Sequence, residues 1–168
     1  MIILSAYFFI SPVVTGETLM IVNKSSHELV VYQSGEQVFQ SKVATGKTKE
    51  LTPEGEFTVK VKAVEPYYRK DDIPGGDPDN PLGSRWIGFD AEGTDGRIYG
   101  VHGTNKPSSI GKAVSAGCIR MENKQVEKLY NLVEEESDII ITRDDSEYEK
   151  IYEKWEKKQW KEFFNVNG

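Results

Sequence analysis

Apolar and polar positions alternate in short runs along most of this chain. Thr18–Asn23 (TLMIVN) and Glu28–Gln33 (ELVVYQ) are β-rich runs. The polar Lys24-Ser25-Ser26-His27 between them marks a hairpin with a four-residue connection. Ser34-Gly35 is the next turn, and Gln37–Ala44 the strand after it. Gly55–Lys62 (GEFTVKVK) alternates strictly, with Phe57, Val59 and Val61 on one face and Thr58, Lys60 and Lys62 on the other, which predicts a half-exposed strand. Trp86–Phe89 and Arg97–His102 read as two more strands around a turn at 93–96, and Asp138–Thr142 (DIIIT) as a last, buried one.

Helical spacing occurs twice. Over Asn123–Glu135 it places Val126, Leu129, Tyr130 and Val133 on one face, with Asn123 as the capping residue. In the tail, 144–168, seven acids and five lysines surround a stripe of Tyr148, Ile151, Tyr152, Trp155 and Phe163. This predicts an amphipathic helix docked on the sheet; a wall or membrane-surface contact is the other use of such a face. Residues 64–83 hold four prolines and three glycines. So long an irregular segment predicts a flap over a site, with Tyr67, Tyr68 and Arg69 offering contacts to a peptide.

The N-terminus reads differently. Residues 1–16 carry no charge, and Ile2 to Val14 is an apolar run broken only by Ser5, Ser11 and Pro12. Spanning a bilayer takes about 20 apolar residues, so the run is short for that. Its length fits the apolar core of a secretory signal peptide, although a basic leader and an A-x-A site are missing. A buried first strand is the other reading. The expected organisation is a leader at 1–16, a folded domain at 17–143 and a charged helix at 144–168, in an exported protein.

Composition narrows the function. A chain of 168 residues with 38% apolar and 29% charged side chains fits one soluble folded domain. Its net charge of −6 argues against a dedicated nucleic-acid binder. The single cysteine, Cys118, excludes an intramolecular disulfide and a cysteine-based zinc site. Only His27, in a polar turn, and His102 carry imidazole.

The chemistry falls between Tyr99 and Met121, which contains His102, Cys118 and Arg120. A thiol nucleophile needs a nearby base, and an adjacent imidazolium would lower its pKa. The Gly117-Cys118 step offers backbone N–H groups to an oxyanion. An extended Cys118-Ile119-Arg120 would put Arg120 on the thiol's face, able to grip a carboxylate. Each residue also has a plain structural reading: a buried thiol, a hydrogen-bonded histidine, a surface arginine. What favours chemistry is that the one cysteine and the one histidine outside the turn lie 16 residues apart amid Gly and Ser.

The stretch resembles the L,D-transpeptidase catalytic domain (YkuD-type). That family carries a His-Gly pair and, some fifteen residues on, Ser/Thr-His-Gly-Cys, a hydrophobic residue and Asn or Arg. Here the matching residues are His102-Gly103-Thr104-Asn105 and Ser115-Ala116-Gly117-Cys118-Ile119-Arg120-Met121. Thr52-Pro53-Glu54-Gly55-Glu56-Phe57 and Asn80-Pro81-Leu82-Gly83 add to the likeness, which spans Leu19 to Thr142. The resemblance implies a mostly β, sandwich-like fold of two packed mixed sheets with one internal helix. It implies acyl transfer on peptidoglycan stem peptides, with no metal or organic cofactor. Cys118 would be the nucleophile, His102 the base, and Gly103 the carbonyl that orients the imidazole. Gly117 would contribute to the oxyanion hole, and Ser115, Arg120 and Tyr99 would line the site. Transfer to water, or a weak peptidoglycan-binding module, are the alternatives. One departure is plain: Ala116 stands where the family has a second histidine.

Overall fold

The computed structural model describes residues 18–166, so the expected leader lies outside the described residues. The strands are β1 (Thr18–Asn23), β2 (Glu28–Gln33), β3 (Glu36–Lys42), β4 (Thr45–Gly46), β5 (Gly55–Val64), β6 (Arg85–Phe89), β7 (Tyr99–His102), β8 (Ala113–Ser115), β9 (Ile119–Arg120) and β10 (Asp138–Thr142). Helix α1 (Asn123–Leu132) lies between β9 and β10, and α2 (Tyr148–Val166) follows β10. Eight strands form one mixed sheet in the order β3-β2-β1-β10-β5-β6-β7-β9, and β4 pairs with β8 in a small parallel ribbon.

The two layers expected from the sequence are two halves of this one curled sheet. The ten-residue β5 belongs to both. Its first residues, Gly55 to Thr58, pair with β10, and its remainder, Val59 to Val64, pairs with β6. A register shift between Val59 and Val61 separates the two stretches. A bulge of this kind bends a strand and strengthens its twist. One core therefore contains Met20, Val22, Leu29 and Val31 from one half, Ile87, Phe89, Val101 and Ile119 from the other, and Val126 and Leu129 of α1.

The bulge also reverses the alternation read from the sequence. Val59 faces the core opposite Phe89, whereas Val61 pairs with Gly88 and points to the other face. Lys62 then falls on the inner face, where its amine donates to the Val133 carbonyl (2.5 Å) and sits over the Tyr130 ring.

The outer face is treated differently in the two halves. Over β1 and β2 it is covered by α2, whose Tyr152 and Trp155 pack on Leu19, Ile21, Val30 and Tyr32. Burial from both sides explains why β1 reads as a continuous apolar run. Over β6, β7 and β9 the outer face holds the candidate site residues Trp86, His102 and Arg120.

Candidate active site

The strand register assembles the site. Trp86 lies opposite His102 in the antiparallel β6–β7 pair, and His102 lies beside Arg120 in the parallel β7–β9 pair. Their neighbours Ile87, Val101 and Ile119 are fully buried in the core, so alternation sends Trp86, His102 and Arg120 outward. Cys118 directly precedes β9 and is partly exposed. Glycines make room for the indole: a Cβ on Gly100 would come within 2.7 Å of the Trp86 ring, and one on Gly88 within 2.5 Å of its nitrogen. The Trp86 Nε1–H donates to the Gly96 carbonyl (2.9 Å), and its ring stacks on His102. Trp86 looked like an ordinary strand residue in the sequence; the flanking Gly88 and Gly100 are the trace it leaves there.

The imidazole is fixed from behind. His102 Nδ1–H donates to the Gly103 carbonyl (2.6 Å), which leaves Nε2 as the basic nitrogen of the neutral ring. Gly103 itself is held close. A Cβ there would fall 2.1 Å from Asn123 Oδ1, the atom that accepts the Thr104 N–H (3.0 Å) and the Ser84 N–H (3.3 Å). The side chain read as the α1 cap therefore ties the end of β7 to the loop before β6, and Glu122 takes the N-cap position. Burial drives the His102 pKa down to about 4; the Arg120 charge adds to this, while the carbonyls of Gly103 and Leu82 oppose it.

The thiol is likewise held neutral. Burial pushes Cys118 up, and this outweighs the opposing effects of the Gly100 N–H and the Arg120 charge. Its Sγ–H donates to the Ile98 carbonyl (3.4 Å). The expectation of an imidazolium that lowers the thiol pKa is thus not met: burial favours the uncharged imidazole and raises the thiol above its ordinary value.

The turn before Cys118 is closed internally. Ser115 Oγ accepts the Gly117 N–H (3.1 Å) and donates to the Cys118 carbonyl (2.6 Å). Ser115 is buried and braces the turn rather than facing a substrate, and the Gly117 N–H, expected at an oxyanion, is engaged by it. Gly117 adopts φ +142°, a conformation that requires glycine. The Cys118 N–H has no partner among the described residues. Tyr99 pairs with Phe89 on the inner face, stacks on it, and donates its hydroxyl to Glu92 (2.6 Å). It backs Gly117 from behind instead of lining the substrate side. The Arg120 guanidinium has no partner among the described residues, and Ala116 is exposed.

The proline-rich loop borders the thiol. A cavity of about 410 Å³ is lined by Cys118, Trp86, Ile98 and Val61 on the sheet side and by Tyr67, Tyr68, Arg69 and Leu82 from the loop. The loop is internally tied. Tyr68 and Ile73 exchange backbone hydrogen bonds (2.9 and 3.1 Å), and the buried Asn80 donates to the carbonyls of Pro66 (2.8 Å) and Pro74 (3.0 Å). A larger groove, about 740 Å³, runs along α2 and is lined by Lys150, Lys154 and Lys158 without a histidine or cysteine. Chemistry, not volume, marks the site. His27 sits elsewhere, hydrogen-bonded to the Thr45 hydroxyl (3.1 Å).

A thiol and an oriented imidazole on one sheet face, under a loop able to hold a peptide, suit cysteine-based acyl transfer. The sequence matches the YkuD L,D-transpeptidase catalytic domain over residues 17–141, and the chain belongs to that family. It is 52% identical over 154 residues to a Bacillus subtilis protein named "Putative L,D-transpeptidase YqjB", covering 88% of each chain. It is 40% identical over 101 residues to B. subtilis "Putative L,D-transpeptidase YkuD", covering 60% of this chain and 51% of that one. Among solved structures it resembles an L,D-transpeptidase from Mycobacterium smegmatis, at a TM-score of 0.59 and 27% identity, over 76% of this chain and 59% of that one.

Proposed function

We propose that the protein is an exported enzyme that cross-links peptidoglycan stem peptides by L,D-transpeptidation. The observation that carries this is the strand register that puts Cys118 and His102 on one sheet face, the imidazole's Nδ1 proton committed to Gly103 and the thiol lining a peptide-sized cavity. Cys118 Sγ attacks the carbonyl of the third stem residue while its proton passes to His102 Nε2. The carbonyl oxygen takes up the negative charge, for which the Cys118 N–H is the available donor. The bond to the terminal D-Ala nitrogen then breaks, and His102 returns the proton to that leaving amine. An acceptor amine attacks the thioester, gives its proton through His102 to the departing sulfur, and completes the cross-link. Arg120, with its free guanidinium, is suited to a substrate carboxylate. Ser115, Gly117 and Tyr99 shape the turn that presents the thiol.

Membership of the family and the likeness to YqjB over most of both chains support peptidoglycan as the substrate. The uncharged apolar run at 2–14 supports export. Incubation with purified muropeptides, followed by mass spectrometry, tests the reading. Release of D-Ala with 3-3 linked dimers is expected from wild type and not from Cys118→Ala. Release of D-Ala without dimers would identify water as the acceptor. Wild type without turnover would leave only a binding module.

A further inference from the structure

Behind the catalytic turn lies a hydrogen-bonded chain that the roles above do not use. Thr52 is buried, and its hydroxyl donates to the Gly117 carbonyl (2.7 Å). The same hydroxyl accepts the Gly46 N–H (2.8 Å), which fixes where its proton points. The Thr52 carbonyl accepts from Lys24 Nζ (2.6 Å). Lys24 belongs to the polar hairpin turn, yet it is buried, and its amine also donates to the Lys49 carbonyl (2.9 Å) and pairs with Glu54 (3.1 Å). Glu54 in turn accepts from Arg143 Nε (2.7 Å).

Thr52 has φ +62°. A β-branched residue in the left-handed region is strained and persists only where surrounding contacts enforce it. Here the lysine holds its carbonyl while its hydroxyl bridges two backbone groups. The consequence falls on the next peptide. The Gly117–Cys118 amide is planar and trans, so its N–H points opposite to its carbonyl. Whatever fixes the Gly117 carbonyl also aims the Cys118 N–H. The neighbouring Gly117 N–H is already engaged by Ser115, so this one direction matters more.

We propose that Thr52 is a positioning residue for acyl transfer: by holding the Gly117 carbonyl it aims the Cys118 N–H at the oxyanion, and Lys24 secures Thr52 in that pose. The proposal rests on Cys118 being the nucleophile. It separates two reactions of the same sulfur. Acylation by a β-lactam builds charge on a carbonyl oxygen and needs the aimed N–H. Alkylation by iodoacetamide displaces iodide at a saturated carbon and builds no such charge.

The test measures both rates, at a pH where the wild-type thiol alkylates readily, for wild type, Thr52→Val, Thr52→Ser and Thr52→Gly. Valine keeps the shape and loses the hydroxyl; glycine loses the hydroxyl while accepting the backbone angle, and stands in if the valine variant does not fold. Carbapenem acylation of Thr52→Val and Thr52→Gly is expected to fall ~10–100-fold, below the loss from deleting a whole oxyanion donor. Iodoacetamide alkylation is expected to stay at the wild-type rate, and Thr52→Ser to acylate like wild type. Unchanged acylation without the hydroxyl, an equal fall in both reactions, or a serine variant as slow as valine would each overturn the proposal. A wild-type protein that carbapenem does not acylate at Cys118 would instead overturn the nucleophile assignment.

Discussion

The His102 imidazole lies against the Trp86 indole, with ring centroids 5.6 Å apart and planes inclined by 17°. Cross-strand register produces the contact, since the two residues are direct partners in the β6–β7 ladder. The indole thereby closes one side of the imidazole to water, and burial is the largest influence on the histidine's pKa. Trp86→Ala should let water reach the ring and move the acid limb of carbapenem acylation upward from about pH 4 toward 6.5. The same change should cost about 3–5 kcal/mol of stability, the usual range for emptying a large aromatic site. A pH–rate profile and a urea melt at one pH check the two effects separately.

Stability itself should depend on pH through His102. Its folded pKa of about 4 lies below the ordinary 6.5, so between those values the unfolded chain binds a proton that the folded chain refuses. Stability attributable to this residue is therefore complete above pH 6.5 and falls as the pH drops toward 4. That displacement corresponds to about 3 kcal/mol. Urea unfolding at pH 7 and pH 4.5 should show this slope in wild type and lack it in His102→Gln.

Much of the fold was readable in the sequence where one rule acted alone. β1, β2 and β10 have the bounds their apolar runs predict, because each lies in the sheet interior and is buried on at least one face along its length. Tertiary demands overrode the local signal elsewhere. Strict alternation in β5 hides the bulge, because an extra residue leaves the composition of both faces unremarkable. Helix α1 ends three residues early: Val133 turns extended, and its carbonyl receives Lys62. Cys118, His102 and Arg120 could be picked out by residue type and spacing, and the orienting carbonyl of Gly103 through the family resemblance. The contacts of Trp86, Asn123, Lys24 and Thr52 could not be read there, since each reaches residues distant in the chain. The neutral state of the thiol was equally hidden, because it depends on burial rather than on which groups are near.

That neutral state has its own consequence. With its pKa raised, Cys118 carries less thiolate at pH 7 than an exposed cysteine does. Iodoacetamide should therefore alkylate the resting enzyme more slowly than it alkylates a small free thiol, with the rate climbing as the pH is raised. Fast alkylation at neutral pH would mean that the thiol is already paired with an imidazolium.

Helix α2 should matter for stability and not for chemistry. Trp155 is 3% exposed, packs in the cluster on the outer face of β1 and β2, and donates Nε1–H to Asp138 (2.9 Å). Trp155→Ala should destabilise the fold by about 3–5 kcal/mol. At temperatures where the variant stays folded, its carbapenem acylation rate should equal that of wild type. Thermal melting paired with the acylation assay separates the two.

Intact-mass spectrometry of carbapenem acylation across pH tests the central pairing most directly. Wild type should gain one adduct, mapped to Cys118, with an acid limb near pH 4. Cys118→Ala should gain none. His102→Gln should acylate about 10²–10⁴-fold more slowly, the range for losing a positioned acid–base group, and should lose the acid limb. An adduct on another residue, or a His102→Gln variant that acylates at the wild-type rate, would contradict the account.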